Sequence, residues 1–491
     1  MLLKYKVISG TLWNTISSGF SFVVSIGTIA VLARLLKPED FGIFAMITVV
    51  VNILESFSDM GVSAAIISYR DVKPAELSSL FYFNILVGVL LTILLVLVSP
   101  IVVSYYKEPR IYLYLWILAL DFTISSPAIV FNVLLKKNMR FGILSKINMT
   151  ATAVYSVSAI LYAYFSRDVM GLVVGTMLQS FVSTGLNVYF GMRIWKPSRF
   201  VLQYKHIRRF LSFGLYQMGE RIINRFNRNI DYLLIGRFLG AKPLGFYSVA
   251  YMLMMKPIYR INPIITSVAF PALSEVQEDN AQIKKYFLKM IRYICYVTAP
   301  IYLLFFALSE NLILVFYGDQ WLLSVPVLAV FSFLGILYSV GNPMGNLILA
   351  KGRADIGFWM NVAQTLILFS ANYIGLRWGI IGVACSTLLV TLCLFFPVNF
   401  FIRYYLVKMG AAEYLEQLKK PLLFAFTAAA AVLLLREYII SFGILTDFIL
   451  FSGIFGIIYL VLLGIFDKQE ILFLWKNVKE YFSLRKKKVV E

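Results

Sequence analysis

The chain is poor in the residues that carry most enzyme chemistry. In 491 residues it has one histidine, His206, and three cysteines, Cys295, Cys385 and Cys393. No CxxC and no Cys/His cluster occurs, so neither a disulfide framework nor a metal centre is expected. Charge is also scarce, at 14% of residues, where a soluble globular chain carries about 25%. Acids are the scarcer sign: 25 Asp and Glu stand against 45 Lys and Arg, a net charge of +20. In a soluble protein that excess would suggest nucleic acid. Here the placement of the charges points to a membrane instead, and no nucleic-acid partner is expected.

What the chain has in abundance is apolar sequence, 60% of residues. It comes in blocks of the length that spans a bilayer as a helix. We read fourteen spans, from 10–33 and 41–68 through 210–236 and 243–271 to 421–439 and 444–466. Met1–Lys6 is followed by too long an apolar run for a cleaved leader. With the N-terminus inside, cytoplasmic segments carry 29 Lys and Arg and outer loops nine. That bias places both termini in the cytoplasm. No outer loop exceeds about 15 residues, which leaves no room for an outer catalytic domain. Past the last span, Ile471, Leu474, Trp475, Val478 and Phe482 make one apolar stripe before Arg485–Lys488. This pattern predicts an amphipathic helix on the inner leaflet, in contact with membrane lipids.

One stretch is written twice. Ala33-Arg-Leu-Leu-Lys-Pro-Glu-Asp-Phe-Gly-Ile-Phe44 returns 203 residues later as Gly236-Arg-Phe-Leu-Gly-Ala-Lys-Pro-Leu-Gly-Phe-Tyr247. Arg34 matches Arg237, Gly42 matches Gly245, and Phe44 matches Tyr247. Farther on, Arg140 and Asn148 match Arg353 and Asn361, and Gly171 matches Gly382. Six spans separate the copies, so both have the same orientation and the repeat is parallel. The expected fold is therefore an all-α polytopic membrane protein of 14 transmembrane helices. Two six-helix bundles are related by a pseudo-twofold axis, and two C-terminal helices follow. The expected parts are an N-lobe (1–194), a basic cytoplasmic linker (195–209), a C-lobe (210–405), the two-helix appendix (406–466) and the basic tail (467–491).

The apolar blocks are interrupted by charge in one region. In span 7, Gln217, Arg221, Asn224, Arg225, Arg228 and Asp231 fall on one helical stripe. Span 8 adds Lys256 and Arg260, four apart and so on one face. An ionisable group at mid-membrane costs roughly 3 kcal/mol, so these side chains are expected to face a polar cavity. Against five cations, Arg221, Arg225, Arg228, Lys256 and Arg260, these two spans carry only Glu220 and Asp231. A cavity of that sign attracts an anion, and arginine forks suit phosphate oxygens. Lys146 lies close enough to the cytoplasmic face to snorkel. Glu55, Asp59, Asp121 and Asp231 are candidates for coupling-ion sites, for Na+ or H+, or for charge partners of the cations. The sequence leaves both roles open. Arg34 and Arg237 are expected at the outer rim as gating or structural residues. No catalytic constellation, metal site or cofactor is expected.

The motif Arg34-Leu-Leu-x5-Gly42-x-Phe44, its partner Arg237-Phe-Leu-x5-Gly245-x-Tyr247 and the run Asn229-Ile-Asp-Tyr-Leu-Leu-Ile-Gly236 resemble the polysaccharide transporter family. That family belongs to the superfamily of multidrug, oligosaccharidyl-lipid and polysaccharide exporters. The resemblance covers the whole chain and is greatest to flippases of O-antigen, colanic acid and teichuronic acid repeat units. It implies a V-shaped pair of bundles that moves an undecaprenyl-diphosphate-linked oligosaccharide between leaflets of the cytoplasmic membrane, coupled to a cation gradient. A polysaccharide polymerase or glycosyltransferases are the implied protein partners. Span 1 departs from relatives that flip the peptidoglycan precursor, because it has no charge between Trp13 and Ala33. Two other readings compete. A multidrug/cation antiporter of the same superfamily would need acids to dominate the cavity. A membrane glycosyltransferase or polymerase would need an acid/base group beyond the single His206.

Overall fold

The computed structural model describes residues 2–69, 71–198, 203–275, 278–439 and 442–468. Within these ranges the side chains of 2–9, 11, 204–206, 211–218, 220–221, 264–275 and 354 lie outside the described residues. The described chain is helical, without a strand. Its helices are α1 (Leu2–Leu35), α2 (Pro38–Glu55), α3 (Val62–Ser68), α4 (Pro74–Tyr106), α5 (Ile111–Ser125), α6 (Ala128–Lys137), α7 (Phe141–Ser166) and α8 (Met170–Gly191). There follow α9 (Tyr204–Phe238), α10 (Ala241–Glu275), α11 (Asn280–Ala307), α12 (Ser309–Phe316), α13 (Val325–Gly341), α14 (Met344–Ala350) and α15 (Ala354–Gly375). The last are α16 (Gly379–Val390), α17 (Phe396–Val407), α18 (Ala411–Tyr438) and α19 (Ile444–Phe466). Eight described segments are long and apolar enough to cross a membrane, or nine if the bent pair α5 and α6 counts as one. The protein is thus a multi-pass membrane protein. The stretch read as span 7 is not among them, because Arg225, Arg228 and Asp231 make α9 too polar.

The chain packs as two compact units. One runs to Val249 and includes Phe316–Ser324 and Asp355–Thr387. The other comprises Ala250–Val315, Val325–Ala354 and the chain from Leu388 onward.

In the first unit, α7 packs along both α8 and α1, α4 packs on α5, and α9 lies against α2, α3 and α4. Small polar residues let α1 and α7 approach: Ser17 Oγ donates to Ser145 O at 3.2 Å, and Trp13 covers Gly142. Lys146 sits over the Trp13 ring at 5.5 Å, so its charge meets an aromatic face.

The two copies of the repeated turn meet in this unit. A methyl group on Gly42 would overlap the Ala241 carbonyl, and one on Gly245 would overlap the Pro38 carbonyl. Ala241 lies 203 positions after Pro38, as Gly245 does after Gly42. Each copy therefore touches the other with the same two residues, as a twofold interface requires. Both turns also close alike: Leu36 N donates to Leu32 O at 2.8 Å, and Leu239 N to Ile235 O at 2.8 Å. Trp321, fully buried, pins the seam. Its ring meets Phe41 and Phe246 edge-on at 5.0 and 5.9 Å, and its Nε1 donates to Ala33 O at 2.8 Å. Ser324 Oγ donates to Phe246 O at 2.9 Å.

Three stretches read as continuous spans are broken, and another passes from α16 to α17 through a π-helical turn, Thr391–Phe395. The second stops at Glu55 and resumes at Val62, with Met60 (φ 43°) and Gly61 (φ 74°) in the left-handed region. The fourth bends by 48° between α5 and α6, at Pro127. The tenth breaks before Pro343. Each proline lacks the N–H that the carbonyl four residues back would accept. Ser126 Oγ donates instead to Thr123 O at 3.0 Å, and Asn262 Nδ2 to Ser339 O at 3.0 Å. The turns after α6 and α14 repeat bond for bond. Asn138, Met139 and Arg140 donate to Leu134, Lys136 and Leu135, and 213 positions later Lys351, Gly352 and Arg353 donate to Leu347, Leu349 and Ile348. Met139 takes up the positive φ, 54°, that Gly352 adopts at 67°.

In the second unit, α11 packs against α13 and α18, and α18 against α19. Tyr302 OH reaches Met254 O at 2.6 Å, and its ring fills the space that a side chain at Gly335 would need. At one end of this bundle Asp467 collects Arg292 at 3.2 Å, Lys420 at 3.3 Å and the Tyr296 hydroxyl.

Candidate substrate-binding site

The charged stripe of span 7 lies on α9 in the first unit. Helix periodicity puts Arg225, Arg228 and Asp231 on successive steps of one face, but the structure gives them different surroundings. Arg225 forks between Asn52 Oδ1 at 3.1 Å and Glu55 at 3.2 Å, both on α2. Arg228 is exposed. Asp231 is buried, accepting from the Tyr247 hydroxyl at 2.7 Å and from Tyr232 N at 2.9 Å. The side chain of Arg221 lies outside the described residues. At the end of α9, Arg237 donates to Ser104 O and Tyr105 O at 3.3 and 2.5 Å, covering free carbonyls at the end of α4. Arg34 is exposed at the end of α1.

Span 8 places Lys256 and Arg260 one turn apart on α10, in the second unit, with exposed Tyr259 beside them. The Lys256 Nζ is buried and has no hydrogen-bond partner among the described residues. An ammonium withdrawn from water without a counter-charge is costly, so an anion there would be stabilising.

The acids divide by what they meet. Glu55 pairs with Arg225. Asp59 accepts from Ser63 N and Oγ at 2.9 and 2.6 Å, and so caps α3. Asp121 on α5 is hydrogen-bonded by Ser180 on α8, and its Oδ1 is buried without a partner among the described residues. Asp231 belongs to the Tyr247 pair.

Sequence reasoning missed several buried polar groups, two of them informative. The first is Arg403. The structure buries it on α17, its guanidinium 3.8 Å from the Tyr414 ring centroid and 4.7 Å from that of Phe400. Aromatic faces take the charge, while Nε and Nη2 find no hydrogen-bond partner among the described residues. Phe400, one turn before Arg403, was the available signal. The other is Asn372, whose Oδ1 accepts from Ser386 and Thr387 at 2.8 and 2.9 Å. Nearby Gly375 and Gly382 each approach the other's carbonyl, closing the hairpin of α15 and α16.

Membrane-length helices, a turn written twice and cations on α9 and α10 are the features of a membrane transporter of the polysaccharide exporter type. The family model described as "Polysaccharide biosynthesis protein" matches residues 31–326, and the chain belongs to that family. It is 32% identical to the teichuronic acid biosynthesis protein TuaB of Bacillus subtilis (strain 168), over 87% of this chain and 88% of that protein. It is 31% identical to the lipopolysaccharide biosynthesis protein WzxC of Escherichia coli (strain K12), over 79% of each. Among solved structures, the lipid II flippase MurJ in an inward closed conformation superposes with a TM-score of 0.70. That match covers 94% of this chain and 100% of MurJ at 17% identity. An inward-facing multidrug resistance MATE transporter superposes at 0.54, with 15% identity, over 82% and 96% of the two chains. These two likenesses concern the fold.

Proposed function

We propose that this protein is a flippase that carries a polyprenyl-diphosphate-linked oligosaccharide across the cytoplasmic membrane by alternating access, for surface polysaccharide synthesis. The observation that carries the reading is the excess of cation over acid on α9 and α10, above all the buried Lys256 ammonium, which has no hydrogen-bond partner among the described residues. Family membership supports it, because TuaB and WzxC are named for teichuronic acid and lipopolysaccharide biosynthesis. Arg225, Arg228, Lys256 and Arg260 hold the diphosphate during transport, and Arg221 joins them. Arg34 and Arg237 line the outer rim. The full count is fourteen spans, in lobes 1–194 and 210–405 joined by the linker 195–209, with the appendix 406–466. Both termini are cytoplasmic, and the tail 467–491, described only as far as Lys468, lies on the inner leaflet. Transport is driven by Na+ or H+, and a polymerase or glycosyltransferases work beside the protein.

The test replaces Arg228 and Lys256 by Gln together. Export of surface polysaccharide should be lost while the protein stays folded in the membrane. Normal polysaccharide in that double variant would remove these residues from the site. The antiporter reading predicts drug resistance on expression, which the cation excess disfavours. The enzyme reading predicts a covalent product when purified protein meets lipid-linked sugar.

A further inference from the structure

The pair made by Arg225 is not explained by anion binding alone. Helix α2 ends at Glu55, midway through the second span. The C-terminal end of a helix carries roughly half a negative charge, and a carboxylate there is repelled. Asp121 on α5 lies within Coulombic reach of Glu55 and adds to that repulsion. Asp59, the other carboxylate at the break, has the opposite setting. It caps the N-terminus of α3 through Ser63, where the helix favours negative charge. Asp59 is therefore fixed in place, whereas Glu55 is held by the guanidinium of Arg225 at 3.2 Å. The two side chains are 40% and 54% exposed, so a solute can reach them. Phosphate oxygens take the same forked donors as a carboxylate.

We infer that Glu55 is an internal counter-anion: it yields Arg225 to the diphosphate of the substrate and takes it back when the substrate leaves. The inference rests on the flippase reading for the nature of the anion. Glu55 then acts as a positioning residue. It weakens binding of the anion and speeds its release, so that the site does not trap its cargo.

Farnesyl diphosphate, with farnesol as the uncharged control, serves as the probe for purified full-length protein. The wild type should prefer the diphosphate. Glu55→Gln should bind it about fivefold tighter, the scale of losing one competing half-exposed ion pair, yet export less polysaccharide. Glu55→Asp, which keeps the charge but withdraws it from Arg225, should shift binding the same way by less, and serves if Glu55→Gln does not fold. In an Arg225→Gln background, Glu55→Gln should bring no tightening. If the wild type prefers the diphosphate but neither Glu55 variant binds tighter, the counter-anion role is wrong and the flippase reading survives. A wild type that does not distinguish farnesyl diphosphate from farnesol overturns both.

Discussion

Asp231 and Tyr247 show how the two halves of the repeat diverged. Their counterparts 203 positions earlier are Thr28 and Phe44, where Thr28 Oγ1 donates to Val24 O of its own helix at 2.7 Å. The second copy thus holds a buried carboxylate together with the hydroxyl that satisfies it, where the first has neither. A buried acceptor stripped of one partner costs about 1–3 kcal/mol, whereas replacing both partners can be nearly neutral. Tyr247→Phe alone should therefore lower the melting temperature more than Tyr247→Phe combined with Asp231→Thr, measured by thermal unfolding in detergent. At this scale the sequence was legible where a charge interrupts an apolar block. The stripe on α9 was visible from spacing, but spacing could not say that Glu55 would meet Arg225 while Asp59 would cap a helix. Arg403 went unnoticed because a cation at a span boundary is ordinarily solvated, and only the fold brings Tyr414 over it.

The elements were legible in position and less so in continuity. Pro127 and Pro343 stand in apolar runs that pattern alone reads as unbroken, and the interruption of the second span at Met60 and Gly61 follows no proline. The repeated turn was the clearest signal, and the structure gives its glycines a reason. Gly42→Ala should force the Ala241 carbonyl away and destabilise the seam by about 1–3 kcal/mol, as overpacking does. Gly19→Ala, at a position with open space around it, should be close to neutral by the same thermal assay. The cluster around Asp467 makes a pH prediction. Burial acts to raise this carboxyl, but the Tyr296 hydroxyl, Arg292 and Lys420 outweigh it and hold it below the usual carboxylate range. A carboxylate depressed in the folded state stabilises above its unfolded value, and that contribution is lost as pH falls through the folded one. Asp467→Asn should lower thermal stability at neutral pH, and its difference from wild type should shrink on acidification.

For the whole molecule, composition alone placed the chain in a membrane, and the charge excess marked the helices proposed to carry its cargo. The motifs indicated the family, which residues 31–326 match. The described residues give eight or nine apolar segments against the fourteen read, because the second and fourth spans are broken and charge interrupts the apolar run of α9. The seam between Gly42 and Gly245 has a consequence in time. At synthesis rates of roughly 5–20 residues per second, the second turn follows the first by about 10–40 seconds. Until then the Pro38 and Ala33 carbonyls and the face of Gly42 have none of the neighbours that cover them in the finished protein. Trp321 arrives later still. The first half of the chain must therefore wait in the bilayer with its copy of the turn unfinished, a period in which a chaperone or insertase would find a surface that the mature protein no longer presents.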